Sequence, residues 1–539
     1  MRKNLQHIKL DNPNTLFANP DVSDIKFETL ERISIKSNYA KTDLEDLEHL
    51  DFAAGFTPYL RGFRATMYVR EPWSIHQLDR FLTVQDANYF FKKQLDAGQK
   101  NFAIAFDLPS QQANDSDQEL VFSEVGKAGF ELDTVEDMKN LFDQIPLQEI
   151  TVSFLMNGNV LPILAFYIVA AEEQGVQPKQ LKGTIQNDIL KECMVQNTAS
   201  FPLQFSMKIT ASILEFTQKR MPEFNPISVL GNAIQESDAP ADIELAYALA
   251  NGLEYCRTAL SMGIQFDDFA PRLCFYFGIG MNHFMEIAKL RAARMIWAKL
   301  VQEFNPKNTQ SQVLQIHCQT RTIQDTYHAV AQTCIEATAA VFGGTQSLLI
   351  HSFDKSNGLS PDLLARNTQL YLQKETKITK TVDPWGGSYY VESLTHELVQ
   401  SAFKHLEEIE KLGGMTKAID TGIPALRIQE AAVRKQARID EEVDIKIDLN
   451  PNQLENKDLI RAPEADNFEL CQQQLEQIKQ IKANRNKDKV HESLSKLTLC
   501  ATTGEGNLLE LAIDAGRNRA TLREINTALE KGFGRYEPK

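Results

Sequence analysis

From about residue 100 onward the chain alternates two kinds of apolar pattern. Short runs rich in β-branched and aromatic residues read as strands: FAIAF (102–106), EITVSFL (149–155), KGTIQ (182–186), ISVLG (227–231), APRLCFYF (270–277), VLQIHCQT (313–320), SLLIHSF (347–353) and KITKTVD (377–383). Between them lie longer stretches with helical spacing, such as HFMEIAKLRAARMIWAKLVQEF (283–304). Strands separated by helices in this way predict an α/β fold, a (β/α)8 TIM barrel, here over residues 51–400. Residues 1–50 are polar, carry Pro13 and Pro20, and read as an arm placed to wrap a partner subunit. After Pro384 the pattern turns helical, so 401–539 reads as a C-terminal helical region with a charged, solvated stretch near 440–490.

The strand faces carry more information than their number. In VLQIHCQT, Gln315, His317 and Gln319 share one face while Leu314, Ile316 and Cys318 share the other. Thr151 and Ser153 alternate with Val152 and Phe154, and Thr184 and Gln186 alternate with Ile185. The apolar faces should pack on the surrounding helices, which leaves small polar groups facing the axis, where barrels ordinarily put bulky Val, Ile and Leu. Two arrangements satisfy such groups: a hollow lumen filled by a long polar ligand, or a hydrogen-bonded network in a closed core.

Composition narrows the partners. Lys and Arg number 57 against 72 Asp and Glu, a formal net charge of −15, which argues against a nucleic-acid or anionic-membrane coat. The longest apolar stretch, Val160–Ala171, has 12 residues, where about 18 are needed to span a bilayer. The N-terminus lacks a signal-peptide core, and the 7 cysteines are scattered without a Cys-x-x-Cys, so a zinc site or disulfide framework is not expected and a reducing, cytoplasmic setting is. Gly278-Ile279-Gly280 lacks the third glycine of a dinucleotide loop, and no Walker loop or Gly-x-Ser-x-Gly elbow occurs. The histidines 283, 317, 328 and 351 have no helical metal-ligand partners, so no metal site is assigned.

Longer motifs go further. RGFRATMY (61–68), AFDLPSQ (105–111), GTIQNDILKE (183–192), APRLCFYFGIGMNHFMEIAKLRAARMIWAKL (270–300), RNTQLYLQKE (366–375), VDPWGGSYYVE (382–392) and EKLGGMTKAI (410–419) strongly resemble the adenosylcobalamin-dependent acyl-CoA mutases, the methylmalonyl-CoA mutase family. The resemblance implies a barrel whose hollow axis holds the pantetheine arm of coenzyme A, and a radical 1,2-rearrangement of the acyl skeleton. The family's cobalamin module carries Asp-x-His-x-x-Gly, which is missing here; His491 in KVHESL lacks the flanking residues. The chain therefore resembles a stand-alone barrel subunit without that domain. Its adenosylcobalamin would be shared with a small cobalamin-binding subunit or a full-length mutase chain in a heteromer.

Carried over by the resemblance, Phe106, Leu108, Ala128, Glu236 and Gln319 match positions facing the corrin or adenosyl group. Thr66, Met67, Ser74, Arg272 and His317 match coenzyme A positions, with Arg272 the local candidate to offset ligand charge. Gln186 matches a residue touching the acyl group. Leu78 and Gln196 stand where methylmalonyl-type members carry Tyr and the Arg that pairs with the substrate carboxylate, so the resemblance implies a small uncharged acyl group, isobutyryl-CoA-like. Ala105 stands where hydroxyacyl enzymes place an acid, which argues against that substrate. Ala233 and Asn232 replace the His that donates to the thioester carbonyl and its neighbouring Tyr; losing such a donor lowers rate by about 10²–10³. Lys355 and Gly344 replace a ribose-binding Glu and a His, and Glu71 and His76 replace basic coenzyme A contacts. Such a pattern is expected of an acyl-CoA mutase isomerase with shifted substrate, and also of a catalytically silent subunit paired with an active mutase.

Overall fold

The computed structural model describes residues 26–77, 81, 83–117, 129–156, 159–196, 200–321, 326–351, 361–444 and 468–536. Eight parallel segments form the barrel wall: β1 (Ser74–His76), β2 (Asn101–Ala105), β3 (Thr151–Leu155), β4 (Lys182–Ile185), β5 (Phe224–Asn225, continued by Ser228–Leu230), β6 (Cys274–Ile279), β7 (Gln315–Thr320) and β8 (Ser347–Leu349). Seven of the expected strands are present. The eighth is corrected: 377–383 holds a 3-10 turn, Ile378–Lys380, and the wall is completed by β1. Ser74-Ile75-His76 is too short to show an alternating pattern, and Lys377, at φ 64°, breaks extended backbone in 377–383.

The wall is built as two sheets. One runs β1-β8-β7-β6 and the second part of β5; the other runs β2-β3-β4 and the first part of β5. Pro226, which has no N–H to donate, lies at the break within β5. Thr184 Oγ1 and Ser228 Oγ meet at 3.1 Å across that break. Among the described residues no backbone pairing joins β1 to β2. Each sheet has its own apolar core, because the outward-facing residues of each pack on different helices. Gly183 is required in β4: at φ 156° a Cβ there would run into the Val152 carbonyl of β3.

Val160–Glu173 is buried around its whole circumference through Ala171, since it lies between the β2–β4 sheet and the helix Leu508–Arg517. Among the described residues no helix is long and apolar enough to cross a membrane. The boundary drawn at 400 falls inside one continuous helix, Tyr389–Lys411, and Leu508, Leu522 and Phe533 share the core of the β2–β4 sheet. Farther along, Gln474 and Gln477 donate at 2.7 Å to the buried carboxylates of Asp133 and Asp137. The described part of the arm folds onto its own chain: His49 bonds Glu392 at 3.0 Å, and Arg438 donates to the Glu28 carbonyl.

Candidate active site

The axis follows from the strand registers. Phe102, Ile104, Val152, Phe154, Ile185, Val229, Phe275, Phe277, Ile316, Cys318 and Leu348 face outward and are almost wholly buried. The alternate positions face inward: Ala103 and Ala105, Ser153, Thr184, Ser228, Tyr276, His317 and Ser347. Ala103 and Thr184 within their strands, and Ala105 and Ser347 at the ends of theirs, stay partly exposed, while Ser153, Ser228, Tyr276 and His317 are buried. In a lumen plugged by its own side chains these positions would be sealed. Of the two arrangements the sequence allows, this exposure supports the open lumen.

His317 lies in the middle of that lumen. Its Nδ1 meets Ser347 Oγ at 2.7 Å, and its ring lies 4.3 Å from Tyr276 and 4.9 Å from His76, centroid to centroid. Burial pushes His76 down to about 4. Burial first, and then the neighbouring His76 and His351, hold His317 well below the usual imidazole range. Both rings are therefore neutral at pH 7, and the mid-lumen carries hydrogen-bonding capacity without charge.

Apart from mid-lumen His317, the described coenzyme A and cofactor candidates lie toward opposite ends. At the N-terminal end of the strands, Thr66 is exposed and precedes the short helix Met67–Arg70; Met67 is buried at φ 39°. Tyr68 fixes that turn by donating to the Thr345 carbonyl at 2.6 Å. Gly344 is accounted for locally: its φ is 85°, and a Cβ would lie 3.1 Å from Arg294 Nη1. Arg294 in turn donates to the Tyr59 and Leu60 carbonyls, holding the loop that leads to Thr66. Ser74, exposed, opens β1. Arg272 precedes β6 with its guanidinium turned onto the carbonyls of Met221, Pro222, Phe224 and Asp268 at 2.9–3.4 Å.

At the C-terminal end, where barrel enzymes place their chemistry, Gln186 follows β4 half-buried, its N–H donating to the Phe154 carbonyl. Gln319 Nε2 and Asn232 Nδ2 both donate to Glu236 Oε1, at 3.1 and 3.3 Å. Asn232 Oδ1 and Asn187 Nδ2 are buried without a hydrogen-bond partner. Leu108 is 49% exposed just beyond β2, and Met281 47% exposed beyond β6. Phe106 differs: its ring is fully buried against Phe130 and Phe154, so only its backbone borders this end. Ala233 is buried in the short helix Gly231–Glu236 after β5. Leu78, Ala128 and Lys355 lie outside the described residues, as does the Gln196 side chain, whose backbone ends the π-turn Glu192–Gln196.

Sequence patterns did not reveal the layer beneath this end. Lys289, fully buried, donates to Glu244 Oε2 at 2.5 Å and to the Gly278 carbonyl at 2.7 Å, and pairs with Glu286 at 2.5 Å. Glu286 Oε1 accepts from Gly280 N–H and from Gln235, the neighbour of Glu236. Glu and Lys on helix faces ordinarily read as solvated; only the close approach of these helices to β6 puts them inside.

The described C-terminal end therefore combines exposed apolar side chains, Leu108 and Met281, with the hydrogen-bonding groups of Asn232, Glu236 and Gln319. Comparison with known proteins gives the family. The methylmalonyl-CoA mutase model matches residues 28–535. The chain is 49% identical over 518 residues to the methylmalonyl-CoA mutase large subunit of Porphyromonas gingivalis (strain ATCC BAA-308 / W83), covering 95% of this chain and 72% of that one. It is 49% identical over 527 residues to the mitochondrial methylmalonyl-CoA mutase of Homo sapiens, covering 96% and 70%. With the large subunit of Propionibacterium freudenreichii subsp. shermanii it shares 48% over 522 residues, 95% and 72%. The chain belongs to the methylmalonyl-CoA mutase family, isomerases that use adenosylcobalamin.

Proposed function

We propose that this chain is the acyl-CoA-binding barrel subunit of an adenosylcobalamin-dependent mutase. Its substrate is a small uncharged acyl-CoA, isobutyryl-CoA-like, and a partner chain supplies the cobalt-ligating histidine. The observation that carries the reading is the partial exposure of the inner-face positions Ala103, Ala105, Thr184 and Ser347, with coenzyme A candidates toward one end of the lumen and cofactor candidates toward the other. In this reading Thr66, Met67 and Ser74 bind the entering arm, and His317, held by Ser347, bonds its amides. Gln186 and Gln196 contact the acyl group beside Leu78. Leu108, Glu236, Gln319 and the backbone of Phe106, together with Ala128, hold the cofactor. When bound, the cofactor supplies the radical chemistry; the chain orients the thioester and keeps water from the reacting carbons. The scattered cysteines favour a cytoplasmic setting.

One observation favours the second reading, a silent subunit beside an active mutase chain. Asn232 turns one amide N–H to Glu236 and the Ala233 side chain offers no donor, so this segment lacks the imidazole donor that the resemblance leads one to expect at the thioester carbonyl. Mixing the purified chain with adenosylcobalamin, a cobalamin-binding subunit and isobutyryl-CoA separates the two. Turnover with a cob(II)alamin signal supports the enzyme reading; no signal across a panel of acyl-CoAs supports the silent one. In an active assembly, Gln196→Arg with Leu78→Tyr should shift preference toward methylmalonyl-CoA by about 10-fold or more, since a buried carboxylate gains its charge partner. Unchanged selectivity removes the substrate argument.

A further inference from the structure

The Gly278-Ile279-Gly280 run at the end of β6 and the buried charges beneath it meet on one side chain, Gln235. Gln235 is buried on the short helix Gly231–Glu236, which starts so close to β6 that a Cβ at Gly231 would lie 3.0 Å from the Tyr276 carbonyl. Its Nε2 donates to Glu286 Oε1 at 3.1 Å, and the Gly280 N–H donates to the same oxygen at 2.9 Å. Glu286 is itself fixed by its pairing with Lys289. The Gln235 Oε1 lies over Gly278, where an added Cβ would come within 2.1 Å of it, and has no hydrogen-bond partner among the described residues. The three atoms nearest such a Cβ all belong to Gln235, so Gly278 is small to admit this side chain.

The next residue, Glu236, is exposed and takes Gln319 Nε2 and Asn232 Nδ2 on one carboxylate oxygen, at 3.1 and 3.3 Å. Where that carboxylate points depends on how the helix is turned about its own axis, and a helix this short fixes little by itself. Arg321 Nη2 holds the Gln235 carbonyl at 3.3 Å, and the Gln235 amide ties the helix to the buried charges. We propose that Gln235 is a positioning residue for the cofactor: through its amide the Lys289–Glu286 pair sets the rotation of the helix, and so the direction in which Glu236 faces the corrin or adenosyl group. Gln235 acts through Glu236 and makes no ligand contact of its own. The proposal rests on the cofactor reading above.

The experiment uses the full chain with a cobalamin-binding subunit. It reads adenosylcobalamin affinity by absorbance, isobutyryl-CoA affinity by calorimetry, and hydrogen exchange of residues 231–237 in the chain alone. Gln235→Ala should weaken adenosylcobalamin by about 10-fold, leave isobutyryl-CoA within about 2-fold, and speed exchange at 231–237 by about 10-fold or more. Gly278→Ala, whose methyl displaces the flexible end of Gln235, should do the same alone and add nothing to Gln235→Ala, where the clash is gone. Gln235→Glu gives a pH signature. Two facing carboxylates repel at about pH 8 and share a proton in mild acid, so cofactor affinity in this variant alone should recover by about 5-fold or more at about pH 6. Equal loss of both ligands, additive effects of the two alanine substitutions, or fast exchange with unchanged cofactor affinity would overturn the proposal and leave Gln235 a packing residue. An unaltered assembly that binds no adenosylcobalamin overturns the cofactor reading, and the proposal with it.

Discussion

Replacing Lys289 with Met tests whether the buried charges under β6 hold the C-terminal end in place. The wild-type ammonium is fully buried and pairs with both Glu244 and Glu286, each at 2.5 Å. Burial raises Glu244 above the usual carboxylate range despite the attraction of Lys289, and Glu286 pushes it the same way. Burial opposes the charge on Lys289 too, but its two carboxylates raise it. Removing one member of a buried ion pair costs about 3–5 kcal/mol, and here two carboxylates lose their partner. We expect a loss of that size in urea denaturation at pH 8. The sign of the pH effect follows from linkage. A carboxyl whose folded pKa exceeds its unfolded value binds more protons when folded, so acid favours folding. In the variant Glu244 rises further, and the deficit should shrink by more than about 1 kcal/mol between pH 8 and about pH 5.5. Lys289→Met with Glu244→Gln should recover part of the loss, a coupling of about 1–3 kcal/mol. A deficit below about 1 kcal/mol at pH 8, or one equal at both pH values, would refute the account of this site as a charge-compensated network.

Two further tests address the wall and the lumen. Glu392 is held at about 2: burial raises it, but His49, Arg291 and the Gly387 N–H together outweigh burial. Its contribution, about 3 kcal/mol, is fully present above about pH 4.5 and is lost as pH falls toward 2; Glu392→Gln should abolish that portion of the acid dependence in a pH series of urea melts. Ala103→Phe places a ring on the axis opposite Ser153 and should cut acyl-thioester affinity by more than about 100-fold while stability changes by less than about 1 kcal/mol, because the lumen has room. A stability loss of about 1–3 kcal/mol would instead show a packed core.

The amphipathic alternation of VLQIHCQT and EITVSFL already showed which side chains face the axis, because a two-residue period has one physical meaning in a strand with helices outside it. The same logic failed at both ends of the wall. Ser74–His76 is too brief for a period to show, and 377–383 alternates apolar and polar residues for reasons local to a turn. Family motifs located the ends of the lumen but could not say how side chains turn there. Arg272 illustrates the gap: a cation in a motif reads as an anion partner, yet it donates to backbone carbonyls where the chain enters β5 and to that of Asp268 before β6. Phe106 illustrates it in the other direction, since its ring fills the core while its backbone borders the C-terminal end. The Lys289 layer escaped because charged residues on helices give no sign of burial until their neighbours are known.

The interrupted β5 has a mechanical consequence. With Pro226 dividing the wall on one side and, among the described residues, no ladder between β1 and β2 on the other, the cylinder is two staves, each braced by its own set of helices. A filament lying along the axis would touch Thr184 on one stave and Ser347 on the other, and so would tie together halves that, among the described residues, share few contacts such as Thr184–Ser228 across the β5 break.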